Sequence, residues 1–203
     1  MTAIRRPSGP RLAPDERRRQ LLDVACTEFA ERGFHATSMD DLAAAAGVTK
    51  PVFYQHFESK RALFVAVLED VGGRLLEVLT AATASAATGR ARVEQGYSTY
   101  FRFVENDRAA FRLLFGASAR NDPEFADVVD SVVDDAAAAV STLIEISGSP
   151  EHRQVLAHAI VGMAEGISRH ALTDPDGSHD PDQLAHWVAE LTWFGLRGIR
   201  SDD

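Results

Sequence analysis

The side chains best suited to engaging another molecule are concentrated between Thr37 and Lys60, in the run TSMDDLAAAAGVTKPVFYQHFESK. Both lysines of the chain, Lys50 and Lys60, lie here, and every other fixed cation is an arginine. Thr37 and Ser38 open the run; Thr49, Lys50, Pro51 and Val52 precede Tyr54, Gln55 and His56. Hydroxyls, an ammonium, a phenol and an imidazole in this order suit hydrogen bonding to base edges and phosphate oxygens. On a helix of about two turns they contribute little to folding, but they gain a purpose if the first turn enters a major groove. There Thr49 and Lys50 would meet base edges, and Tyr54 and His56 phosphate oxygens.

Bond-making chemistry has no comparable cluster. The seven histidines (His35, His56, His152, His158, His170, His179 and His186) form no His-Glu-x-x-His pair, and Cys26 is the only cysteine. A Gly-rich phosphate loop and a Gly-x-Ser-x-Gly elbow are both missing from the sequence. Glu165 and Arg169, four apart on one helix, read as an ion pair, and His158 as a solvated or interface residue. No catalytic residue, metal site or cofactor is expected, and a helical enzyme is the remote alternative. One cysteine also excludes an intrachain disulfide framework and fits a reducing, cytoplasmic setting.

The elements that must position the run read as helices throughout. Sustained period-2 alternation and hairpin turns are lacking, so the expected class is all-α. Ala13-Pro14-Asp15-Glu16, Asp122-Pro123-Glu124, Ser149-Pro150-Glu151 and Asp180-Pro181-Asp182 share one chemistry of helix initiation. Proline at the first helical position forfeits no needed hydrogen bond, the Asp or Ser before it in three of the four can cap, and the acid after it meets the positive end of the helix dipole. The pattern predicts helices over Pro14–Arg32, Met39–Ala46, Lys50–His56 and from Ser59 to about Thr80. Others are predicted over Arg90–Asn106, Arg108–Ala119, Pro123–Ile146, Pro150–Leu172 and Pro181–Arg197. Gly47 supplies the turn between the second and third, and small alanines at 43–46 let them cross closely, which makes a helix-turn-helix.

Charge supports this placement. The net charge of −9 disfavours nucleic acid taken alone. Residues 1–60, however, carry nine Lys or Arg against eight Asp or Glu, whereas residues 61–203 carry twelve against twenty-two. A polyanion site therefore belongs at the N-terminal end. This balance also disfavours a non-specific architectural DNA binder. Residues 1–13 hold three arginines and no acid and read as a flexible basic arm or an inert tail. Residues 14–60 read as the DNA-binding domain and 61–203 as a helical ligand-binding and dimerisation domain. A twin-arginine signal is not expected, because Pro7-Ser8-Gly9-Pro10 follows Arg5-Arg6, and no apolar stretch is long enough to span a membrane.

From Asp15 to Ala66 the chain resembles the DNA-binding domain of TetR-type regulators. The likeness is carried by Leu21-Leu22, Ala25, Phe29, Gly33-Phe34, Thr37-Ser38-Met39, Leu42-Ala43, Ala46-Gly47-Val48-Thr49-Lys50-Pro51, Tyr54, His56-Phe57 and Ser59-Lys60. It implies that Thr37 and Ser38 start the support helix near the DNA backbone, that Thr49, Lys50, Pro51 and Val52 approach bases, and that Tyr54, His56 and Lys60 contact phosphates. It also implies a homodimer on a palindromic double-stranded operator, with half-sites about 34 Å apart, and a repressor is the expectation.

The same resemblance implies that the helices after the fourth enclose a small apolar effector and that the last two dimerise. Candidates for the effector are Tyr97, Tyr100, Phe101, Val104, Phe111, Phe115, Val133 and Met163. Candidates for the dimer interface are Ile160, Gly162, Met163, Gly166, Ile167, Trp187, Leu191 and Phe194. The stretches Thr49–Phe57 and Tyr100–Phe115 are similar to actinobacterial members that regulate fatty-acid metabolism and sense long-chain acyl groups, often as acyl-CoA. A multidrug-responsive regulator of an efflux gene is the alternative.

Overall fold

A computed structural model describes residues 13–145, 149–173 and 179–198, without the side chains of 117 and 118. Most of the basic arm, the predicted helix end at Ile146 and residues 174–178 of the polar linker lie outside the described residues. Among the described residues the chain is all-α and divides into two compact units, one ending at Val67 and the other starting at Leu68.

The first unit contains α1 (Pro14–Arg32), α2 (Met39–Ala45), α3 (Lys50–Tyr54) and the start of α4 (Lys60–Ala84). Pro14 takes the first helical position of α1, and the Glu16 carboxylate accepts the Ala13 N–H at 3.1 Å. Gly33, at φ 80°, ends the helix in a backbone conformation that side chains disfavour. Leu21, Leu22, Ala25, Cys26 and Phe29 form the buried face of α1. Phe29 and Phe34 both meet Phe64 edge to face, at 5.0 and 5.1 Å between centroids. This geometry sets the positive edge of one ring against the negative face of another. Leu42, Phe53, Phe57 and Leu63 complete the core.

The second unit holds the rest of α4 with α5 (Gly89–Asn106), α6 (Arg108–Phe115), α7 (Ala117–Arg120), α8 (Pro123–Leu143), α9 (Pro150–Thr173) and α10 (Pro181–Gly198). The cap signals act as their chemistry requires. Asp122 accepts the Glu124 N–H at 3.1 Å, Ser149 the His152 N–H at 3.2 Å, and Asp180 the Asp182 N–H at 3.0 Å. α5 packs along α10, and α8 along α9. The α8–α9 seam is built on Ala137 and Ala157, which have no accessible surface, so the two backbones approach closely.

Two expectations are corrected. The helix predicted over Arg108–Ala119 divides at Gly116, where a Cβ would lie 2.1 Å from the Arg112 carbonyl oxygen. That proximity admits only glycine and turns the chain into the short α7. The fourth helix does not stop near Thr80 but continues to Ala84, with the Thr83 hydroxyl donating to the Leu79 carbonyl at 2.8 Å. Alanine is the strongest helix former, and back-bonding removes the competing polar group.

Gly72 on α4 faces Val132 on α8, and a Cβ there would stand 2.4 Å from a valine methyl. Valine is stiff at χ1 and gives little ground. Gly72→Ala is expected to lower stability by about 1–2 kcal/mol despite alanine's better helix propensity. Adding Val132→Ala should recover most of the loss in a chemical-denaturation experiment; a stabilised single variant would contradict this packing.

Candidate nucleic-acid interface and effector cavity

The reading head is built from the caps of two short helices. Ser38 caps α2: its hydroxyl accepts the Asp41 N–H at 3.1 Å, and the Asp41 carboxylate accepts the Ser38 N–H at 2.9 Å. These bonds to Ser38, with the Arg32 guanidinium adding to them, hold the Asp41 carboxyl below its ordinary pKa. Gly47, at φ 64°, makes the turn that brings α3 across α2. Thr49 then occupies the cap position of α3 without spending its hydroxyl on capping. Thr49, Pro51, Tyr54 and Gln55 are exposed, while Val52 and His56 are half-buried at their flank. Phe53 is fully buried and fixes the helix to the core. A row of polar groups therefore projects from one edge of a rigid support.

Lys50 is half exposed and its ammonium pairs with Asp40 at 3.0 Å. The hydrogen bond to that carboxylate and its charge raise the Lys50 pKa. An exposed pair of this kind is worth little, so phosphate or a guanine edge can replace Asp40 at small cost.

Two expected contacts turn out to be committed inside the unit. Thr37 is buried and donates its hydroxyl to the Gly33 carbonyl at 2.9 Å. Lys60 donates to the carbonyls of Phe34 and Thr37 at 2.7 and 2.9 Å, with its ammonium 4.4 Å from the Phe34 ring centroid. The lysine thus ties the start of α4 to the loop between α1 and α2. Sequence spacing gave no sign of this, because the partners are backbone groups more than twenty residues away.

In the second unit, α4, α5, α8, α9 and α10 enclose a cavity of about 700 Å³. Tyr97, Tyr100, Phe115 and Val133, all expected at the effector site, line it. Phe101, Val104, Phe111 and Met163 do not. Phe101 and Val104 face a minor cleft toward Leu184, and Phe111 is buried against Phe115. Helical periodicity marks an apolar face but not which neighbour that face meets. The wall also uses Leu75, Leu76 and Leu79 of α4 and Val132 and Ala136 of α8, where the sequence shows only an ordinary apolar stripe. Ile160, expected at the dimer interface, lines the cavity as well.

Polar groups interrupt this wall at few places. Arg92 pairs with the exposed Glu145 at 2.7 Å, and Arg197 lies over the Trp193 ring. The Tyr97 hydroxyl shares a 2.8 Å hydrogen bond with Thr192. Burial pushes the Tyr97 phenol up to about 12, the Thr192 bond only partly offsetting it. Tyr100 and Glu165 also line the wall, the Glu165 carboxylate being held by Arg120 and Arg169.

Outside the cavity, α10 leaves Trp187, Leu191 and Phe194 57%, 64% and 61% exposed at one-turn spacing. Gly162 and Gly166 of α9 are exposed, and a Cβ added to either would meet no atom within 4 Å. Ile167 and Met163 are half-buried.

Comparison with known proteins fits this arrangement. The family described as "Bacterial regulatory proteins, tetR family" matches residues 21–67, and "Tetracyclin repressor-like, C-terminal domain" matches residues 90–195, more than half of the chain. The chain belongs to the TetR family. A TetR-family relative, the HTH-type transcriptional activator FasR of Mycolicibacterium smegmatis, is 35% identical over 193 residues, 94% of this chain and 88% of its own length. A TetR-like transcriptional regulator from Rhodococcus sp. RHA1 is 30% identical with a TM-score of 0.75, covering 93% of this chain and 100% of that one. The transcriptional regulator FadR of Bacillus subtilis, solved in complex with stearoyl-CoA, shares the TetR fold at a TM-score of 0.76 and 17% identity, over 90% and 99% of the two chains. The protein is thus a TetR-family DNA-binding regulator, from a family of regulators and not of enzymes. Among the described residues, no helix is long and apolar enough to cross a membrane.

Because its ammonium serves two backbone carbonyls, Lys60→Met is expected to cost about 2 kcal/mol of stability. Denaturant melts check this; an unchanged midpoint with weakened DNA binding would assign the lysine to phosphate alone.

Proposed function

We propose that this chain is a ligand-responsive regulator that binds a palindromic operator as a homodimer and takes a long-chain acyl group, presented as its coenzyme A thioester, into the cavity of the second unit. The observation that carries the ligand reading is the wall itself: about 700 Å³ bounded mostly by aliphatic and aromatic side chains, with Arg92 and Arg197 among them. An apolar chain suits the interior, and an anionic head group suits Arg92 and Arg197. A cationic drug, the alternative occupant, would need an uncompensated carboxylate. The two in the wall, Glu145 and Glu165, are each held by arginine. The complex of B. subtilis FadR with stearoyl-CoA supports the reading as a precedent for an acyl thioester in a protein of this fold.

The homodimer rests on the exposed stripe of α10 and the open glycines of α9, which together offer a self-complementary apolar patch. Two recognition helices on one axis then read two half-sites. Thr49, Lys50, Pro51 and Val52 approach the bases, Tyr54 and His56 the phosphates, and Ser38 the backbone beside the support helix. The operator places this work in the bacterial cytoplasm. Control can run in either direction, since FasR is named an activator whereas the matched C-terminal family is named for a repressor. A bound dimer blocks or assists transcription according to where its operator lies.

Lys50→Ala and Tyr54→Ala are expected to weaken binding to the DNA directly upstream of the protein's own gene by tenfold or more in anisotropy titrations, with unchanged melting temperatures. Each loses one base or phosphate contact worth roughly 1–3 kcal/mol. Parental affinity in both variants would contradict this assignment of the reading surface.

A further inference from the structure

The two acids in the first turn of α2 have different partners. Asp41 is committed to the fold: its carboxylate closes the cap on Ser38 and lies 3.6 Å from the Arg32 guanidinium. Asp40 takes no part in that cap. Its side chain is 74% exposed, and its carboxylate reaches across to α3, where it meets the ammonium of the 43% exposed Lys50 at 3.0 Å. An exposed pair of this kind adds little stability. The helix dipole accounts for an acid in this turn, but not for its partner on the neighbouring helix. A carboxylate on a surface that approaches a polyanion also works against binding, so the pair calls for an explanation beyond folding.

The geometry of the pair matches one feature of duplex DNA. A donor and an acceptor stand side by side, 3.0 Å apart and both still accessible. In the major groove a G·C pair presents the complement: guanine O6 accepts and cytosine N4–H donates. The Watson–Crick bond between these two atoms sets them about 2.9 Å apart. Guanine N7 lies beside O6 as a second acceptor, and an ammonium has donors for both. An A·T pair offers its acceptor at thymine O4, which has a methyl group beside it instead of N7. A phosphate that takes the lysine leaves Asp40 facing a polyanion without its counter-charge, whereas a G·C pair engages both side chains. We infer that Asp40 and Lys50 read one G·C pair of each half-site as a unit, Lys50 donating to guanine O6 and N7 and Asp40 accepting from cytosine N4. Asp40 is thereby a specificity-determining residue, and it turns Lys50 from phosphate toward a base.

The inference rests on the reading surface proposed above, and two variants separate the two. The full-length parent, Asp40→Ala and Lys50→Ala would each select duplexes from a random pool, followed by anisotropy titrations on the duplex the parent enriches. The parent is expected to enrich half-sites with a G·C pair at one position that both variants relax, the other positions being kept. Exchanging that pair for A·T should weaken the parent about tenfold and either variant much less. Asp40→Ala should also bind a scrambled duplex more tightly than the parent. Its salt slope there should steepen by about one per subunit, because the freed Lys50 neutralises a phosphate. Thermal melts that stay in place would separate this readout from folding. An Asp40→Ala protein that enriches the parental half-site unchanged, or a relaxed position that is A·T in the parent, would overturn the inference; altered selection by Lys50→Ala would then still uphold the reading surface. A Lys50→Ala protein that enriches the parental half-site unchanged, or a parent that enriches none, would overturn both.

Discussion

One continuous helix constrains the whole chain. α4 runs for 25 residues, about 37 Å at the rise of an α-helix. Its first turns supply Leu63, Phe64 and Val67 to the core of the DNA-reading unit, and Lys60 anchors its start to two carbonyls of the α1–α2 loop. Its later turns supply Leu75, Leu76 and Leu79 to the wall of the cavity. The same rod is thus core in one unit and lining in the other, so its residues answer to two packing environments at once. α4 is therefore the covalent link between the two units.

The cavity has a related physical logic. Side chains around a volume of this size lack protein neighbours on one face, and they forgo contacts that a filled core would make. An apolar ligand supplies those contacts and stabilises the form that binds it. The polar groups in the wall are distributed with the same economy. Tyr97 is satisfied by Thr192, Arg92 by Glu145 and Glu165 by two arginines.

Much of the fold was legible in the sequence because helix ends obey local chemistry. The Pro-initiated starts at 123, 150 and 181 needed only the cap before the proline and the acid after it, the start at 14 only the proline and its acids, and Gly47 announced the turn between α2 and α3. What escaped depended on contacts distant in sequence. Gly116 sits inside a helical pattern and breaks it because of the Arg112 carbonyl. The two carbonyl acceptors of Lys60 cannot be seen from spacing, which shows only a lysine beside the reading helix. Of the aromatic residues expected at the effector site, Tyr97, Tyr100 and Phe115 line the cavity. Phe101 and Val104 lie on the same helix but face elsewhere, and Ile160 of α9 faces inward. Periodicity assigns a residue to a face; the neighbour that face meets is decided by packing.

Ligand control requires a coupling between the occupant of the cavity and the DNA affinity of the reading head. An anisotropy titration against the DNA upstream of the protein's own gene, with and without saturating octadecanoyl-CoA, measures that coupling directly. Specific binding whose affinity changes by about fivefold or more when the thioester is present is the predicted result. Thioester binding that calorimetry detects, but that leaves operator affinity unchanged, would contradict it.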